Sequence, residues 1–151
     1  MTVPRRSSVT VAAFDDIDAA TLYAILRLRV DVFVVEQQCA YPELDGRDDE
    51  PGTQHLWIEG GDGVPCAYLR ILWDGDGTAR VGRVAVSRAD RGKGLAAQLM
   101  DAAVSEIGDA PCELEAQTYV AAFYTRWDFA VTGPEFDLDG ILHVPMRRLP
   151  H

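Results

Sequence analysis

Gly82-Arg-Val-Ala-Val-Ser-Arg-Ala-Asp-Arg-Gly-Lys-Gly-Leu-Ala-Ala-Gln-Leu-Met100 is the stretch whose reading decides the fold. An apolar run ends near Val86, and a turn rich in arginine and glycine follows. A helix is then predicted from about Gly94 to Ile107, with Leu95, Leu99, Ala102, Ala103 and Ile107 on one face and Gly108 as its stop. Gly92 and Gly94 let the backbone come close to a ligand, and the first helical N–H groups have no partner within the helix. An anion is favoured at such a place, and phosphate is the obvious candidate.

Outward from this stretch the pattern is mixed. Val9, Val11 and Ala13 alternate as a first strand. Asp18 is a plausible N-cap for a helix carrying Leu22, Ile25, Leu26, Arg29, Val30 and Phe33 at helical spacing, with Arg27 and Asp31 facing out. Gln37 to Thr53 is polar and acidic, with Pro42, Gly46, Pro51 and Gly52, and reads as a long loop. Strands are predicted at Gln54 to Glu59, Val64 to Trp73 and Ala79 to Ser87, joined by turns at residues 60–63 and 74–77. Asp74-Gly75-Asp76-Gly77 lacks the acidic positions of a calcium loop and is a plain turn. Further on come a strand at Cys112 to Tyr119, a short helix at Val120 to Trp127, and a closing pair at Phe129 to Thr132 and Ile141 to Met146. With no repeat and no linker, residues 1–151 are expected to form a single mixed α/β (α+β) domain.

Composition narrows the function. The chain has 24 Asp plus Glu against 14 Lys plus Arg, a net charge of −10. That acidity argues against nucleic acid or an anionic membrane as partner. No apolar run approaches the roughly 18 residues of a membrane span. Arg5-Arg6 hints at export, but no apolar segment follows it, so a cytoplasmic protein is expected. Cys39, Cys66 and Cys112 form neither a disulfide framework nor zinc spacing, and no metal site is expected. Cys66 and Cys112 read as buried thiols, while Cys39 is near His55 in sequence only. Five of the 14 bases lie between Arg80 and Lys93 with Asp90 the one acid there, so the body is acidic and the loop is a basic island.

Three phosphate loops compete. The P-loop pattern fails because Lys93-Gly94 is followed by Leu95. Gly92, Gly94 and Ala97 satisfy the dinucleotide pattern formally, but only 36 residues remain after Glu115, too few for that fold. The third pattern is R-x-x-G-x-A, given by Arg91, Gly94 and Ala96 after Val84-Ala85-Val86. With it the chain resembles the GCN5-related N-acetyltransferase (GNAT) superfamily. Ala121-Ala-Phe-Tyr-Thr-Arg-Trp-Asp-Phe129 resembles that family's A-x-x-F-Y-x-x-x-G-F segment, with Asp128 where Gly is usual. Leu28 to Gln37 together with Tyr41 to Asp48 is similar to the ElaA-type branch.

The resemblance implies a mostly antiparallel mixed sheet, flanked by helices and splayed at two parallel strands. It implies acetyl-CoA as cosubstrate, with Val84, Ala85, Val86, Arg91, Gly92, Lys93, Gly94, Leu95, Ala96 and Tyr124 holding it. The oxyanion donor would be the backbone N–H of Val84 or a neighbour, and Tyr124 would protonate the departing thiolate. The competing reading makes Tyr124 a core residue packed by Phe123 and Trp127. Glu36, Glu115 and His143 are candidate bases, beside proton loss through water. Glu36 is taken as the catalytic one, and Glu36, Gln117 and His143 as acceptor contacts. For His143 and His55 a hydrogen-bonded structural role is the simpler alternative. The acidic loop Glu43 to Glu50 is either an entrance that attracts a cationic amine or a solvated surface. The function expected is N-acetyl transfer to a small-molecule or protein amine; the alternative is a non-catalytic acyl-CoA-binding or sensing module. No long apolar helix face argues for a dimer, and a homodimer is left open.

Overall fold

Val9–Ala13 (β1), Gln54–Glu59 (β2), Pro65–Trp73 (β3) and Ala79–Val86 (β4) lie side by side as antiparallel neighbours, and β3, covered on both faces, is buried along nearly its whole length. The computed structural model describes residues 8–149, so Arg5 and Arg6 lie outside the described residues. Leu95–Ile107 (α2) then crosses over to Cys112–Gln117 (β5), which runs parallel to β4. Ile141–Arg148 (β8) pairs antiparallel with β5, and its other edge carries Phe129–Val131 (β6) and Phe136–Leu138 (β7). The eight strands of the described residues belong to one sheet, ordered β1-β2-β3-β4-β5-β8-β6 with β7 on β8.

Helices cover both faces. Leu99, Met100 and Ala103 of α2 pack on Leu56, Leu69, Ile71 and Val81. On the opposite face Ala19–Val30 (α1) packs Ile25 and Leu28 on Trp57, Tyr68 and Ala85. Asp18 caps α1 by accepting from the Thr21 N–H at 2.7 Å, as its sequence position predicts. Residues Asp31–Glu36 continue α1 as a wider π-type turn, which carries the chain to the sheet's open end.

Two departures from expectation have plain causes. The predicted strand through Tyr119 stops at Gln117, because Thr118–Val120 turn as a 3₁₀ segment into Ala121–Tyr124 (α3). The interval 133–140 contains an extra strand, β7, joined to β8 by Asp139-Gly140, both at positive φ (52° and 84°). Asp-Gly between Leu138 and Ile141 is a strong hairpin signal, and its short apolar flank hid it. Asp128 sits where the family pattern has glycine and takes the left-handed conformation (φ 66°) that glycine would supply. Among the described residues, no helix is long and apolar enough to cross a membrane.

Candidate active site

The parallel pair joins at only two positions, Ala79 with Cys112 and Arg80 with Glu113. Beyond them β4 and β5 part, and a cavity of about 640 Å³ opens between Val84–Val86 on one wall and Leu114–Gln117 on the other. A smaller cavity of about 190 Å³ follows over the loop, lined by Arg91, Gly92, Gly94, Leu95 and Ala96 with Phe123 and Arg126. Every residue expected to hold the cosubstrate lines one of these two cavities except Lys93, which is exposed and pairs with Asp90 at 3.0 Å.

The loop fits a phosphate group. Gly92 and Gly94 have φ of 81° and 75°, and a Cβ on either would meet nothing within 4 Å. The backbone twist, with free space above it, is what requires glycine there. Gly94 is the N-cap of a 13-residue helix whose first turn has no side-chain cap and no acid, so its leading N–H groups are available. Of the nearby cations, Arg91 forms a bidentate pair with Glu36, at 2.7 Å through each nitrogen. Arg88 lies 3.9 Å from the same carboxylate. Among the described residues Arg126 has no ion pair; its guanidinium lies 5.5 Å and 5.1 Å from the Phe123 and Trp127 ring centroids. Sequence reasoning missed Arg126, although its place three residues after Phe123 puts it on the same edge of the short helix.

Tyr124 is buried at the junction of the cavity with α3, edge-on to Phe123 and Phe129. Its hydroxyl has no hydrogen-bond partner among the described residues, and burial pushes its pKa up to about 12. It is therefore a protonated donor at neutral pH. Gln117 and His143 face each other across β5 and β8 and both line the cavity. The Ile141 carbonyl lies 2.7 Å from His143 Nδ1. A carbonyl only accepts, so Nδ1 is the donor, and in the neutral ring the lone pair is on Nε2. Glu36 also lines the cavity, but its carboxylate is committed to Arg91, which lowers its pKa. The expected free base at Glu36 is instead an ion-pair member, and a carboxylate so held is a poor proton acceptor.

The acidic loop departs furthest from expectation. Part of it is the solvated surface expected, with Asp45, Gly46 and Asp49 exposed, but two of its acids turn inward. Glu43 and Asp48 are buried (4% and 8% exposed) against Arg29 and Arg70 (0% and 3%). Arg29 donates to Glu43 Oε1 at 2.8 Å and to both oxygens of Asp48 at 2.7 and 3.2 Å. Arg70 donates to Asp48 at 3.0 Å and also to Asp45, and Arg83 lies 2.9 Å from Glu43 Oε2. Burial opposes the Asp48 charge, but hydrogen bonds and charge from Arg29 and Arg70 outweigh it and lower the pKa. His55 is a structural residue, with Nδ1 2.7 Å from the Tyr68 hydroxyl and Nε2 2.9 Å from the Asp48 carbonyl. All three cysteines are free and buried. The basic island divides accordingly. Arg80 and Arg83 pair with acids away from the glycine loop, and only Arg88, Arg91 and Lys93 stay at it.

A family model for the acetyltransferase (GNAT) domain matches residues 27–150, which include both the parted parallel strands and the uncapped glycine loop. The chain belongs to the GNAT acetyltransferase family. It is 37% identical to protein ElaA of Escherichia coli K12 over 139 residues, covering 88% of this chain and 90% of that one. A UPF0039 protein of Mycobacterium tuberculosis is 48% identical over 136 residues, covering 88% and 87%. Among solved structures, an acyl-CoA N-acyltransferase from Pseudomonas aeruginosa superposes with a TM-score of 0.88 at 40% identity, covering 95% of this chain and 100% of that one. The crystal structure of E. coli ElaA gives the same TM-score at 33% identity and covers 95% and 100%. This GNAT domain therefore has the fold of an acyl-CoA N-acyltransferase, in the ElaA-like branch.

Proposed function

We propose that this GNAT domain transfers the acetyl group of acetyl-CoA to a primary amine by direct attack within a ternary complex. The observation that carries the reading is the unpartnered, protonated Tyr124 hydroxyl on the wall where β4 and β5 part. A module that only binds acyl-CoA has no use for a proton donor there. The leading N–H groups of α2, with Gly92 and Arg126, would take the phosphates, and Val84–Val86 the pantetheine arm.

A free alkyl ammonium has a pKa near 10, so the acceptor must lose a proton before attack. His143 Nε2 takes it, directly or through water. Nitrogen then bonds to the acetyl carbon, and a backbone N–H near Val84 stabilises the oxyanion. The carbon–sulfur bond breaks, Tyr124 gives its proton to the thiolate, and the nitrogen releases its second proton to solvent, from which Tyr124 regains one. Glu115 and Asp139 line the cavity with no cation at ion-pair distance among the described residues, which supports a cationic acceptor. Three buried free thiols support a reducing, cytoplasmic setting.

The test is thiol release from acetyl-CoA across a panel of polycationic, neutral and acidic amines. Turnover is expected with a preference for polycations, and Tyr124→Phe should lower it about 100-fold while still binding CoA. Stabilisation by CoA without turnover on any amine would point to a binding module. Undiminished turnover by Tyr124→Phe would remove that residue from the mechanism.

A further inference from the structure

We propose that Arg83 is a positioning residue: clamped by Glu43 of the acidic loop, it holds open the β4 bulge that turns the backbone at Val84 toward the reacting carbonyl. The inference rests on the acetyl-transfer reading above.

The register shows the bulge. Tyr68 pairs with Ala85 and Arg70 with Gly82, so the single residue Leu69 on β3 faces both Arg83 and Val84. On the other side β5 pairs with β4 only as far as Arg80. Arg83 and Val84 thus have no ladder partner on either neighbour, and both residues line the cavity. Here the parting of β4 from β5 begins.

The bulge carries a local cost. Arg83 has φ of 54°, in the left-handed region where glycine is at ease and an arginine is not. Such a residue persists only where its surroundings over-determine it. The surroundings are a chain of contacts running back to α1. The Arg83 Nη2 donates to the Glu43 carbonyl at 3.1 Å, its Nε lies 2.9 Å from Glu43 Oε2, and its guanidinium sits 5.5 Å from the Tyr41 ring centroid. Glu43 is itself fixed, because Arg29 Nε donates to Oε1 at 2.8 Å and the Tyr41 hydroxyl donates to Oε2. Arg29 is fully buried in α1. The acids of the loop therefore act on the reaction through backbone geometry and not by attracting the acceptor.

Arg83→Gly separates the clamp from the strain, since glycine takes the same φ freely. The variant relieves the strain at that φ but takes one cation from buried Glu43, which Arg29 still pairs, so the full-length protein should stay folded with a somewhat lower unfolding midpoint and bind CoA as the wild type does. Its kcat for thiol release should fall about tenfold or more, with KM for acetyl-CoA unchanged. Hydrogen exchange should quicken at Val84 and stay unchanged at Leu95–Ala97. Unaltered kcat would overturn the proposal, and so would a loss confined to KM for the amine, which would make Arg83 an acceptor contact. If the wild type releases no thiol, the acetyl-transfer reading fails by itself. Exchange at Val84 then decides whether Arg83 holds the bulge.

Discussion

Residues 37–53 carry Glu43, Asp45, Asp48 and Glu50, and residues 87–94 carry Arg88, Arg91 and Lys93, yet the two loops use their charge in opposite directions. In the first, Glu43 and Asp48 turn inward onto Arg29 and Arg70, so charge meets charge away from water. In the second, Gly92 and Gly94 open the backbone to free space and Lys93 lies on the solvent side. Composition alone reads one loop as an acidic attractor and the other as a basic attractor. Burial decides between a charge that serves the fold and a charge available to a ligand.

The comparison can be broken most forcefully at Asp48. Asp48→Asn removes the carboxylate shared by two buried arginines, and breaking a buried pair in this way costs about 3–5 kcal/mol. Urea unfolding should show that loss, whereas a change within experimental error would place the loop back on the surface. The same region sets the pH dependence. Burial lowers the His55 pKa, so the folded state binds fewer protons and stability starts to fall below about pH 6.5. Asp45 and Asp48 are held below the usual carboxylate range, so their contribution is present above about pH 4 and is lost as pH falls further. Both act in one direction. The midpoint should be level near neutrality, decline below about 6.5 and drop faster below about 4; a level profile down to pH 4 would contradict the His55 part.

A smaller effect belongs to the other loop. Arg126→Gln removes the cation that is stacked on rings and, among the described residues, paired with no acid, and should weaken CoA binding about tenfold, or 1.4 kcal/mol, in calorimetry. Pantetheine, which lacks the nucleotide phosphates, should bind the variant and the wild type alike. Equal CoA affinity would return the phosphate role to Arg91, now held by Glu36.

Much of the fold was legible because its signals are local. Asp18 caps its helix, the Asp-Gly and Gly-Gly turns join hairpins, and Arg91, Gly94 and Ala96 sit at a strand-to-helix junction. Tyr124 and His143 were legible as candidates and do border one cavity. What escaped was long-range. Arg29 falls on the apolar stripe of α1, and a charge in a core stripe asks for buried acids, but nothing in its neighbourhood says they lie in the acidic loop. Glu36 read as a free helix-end carboxylate because Arg91, 55 residues away, is brought to it only by the tertiary fold.

Backbone hydrogen exchange with and without CoA tests the contrast between the two loops most directly. The account predicts protection by CoA at Val84–Val86 and at Arg91–Ala96, with residues 43–50 unchanged because Glu43 and Asp48 are already held by buried arginines before any ligand binds. Protection confined to residues 43–50, or none at the glycine loop, would contradict it.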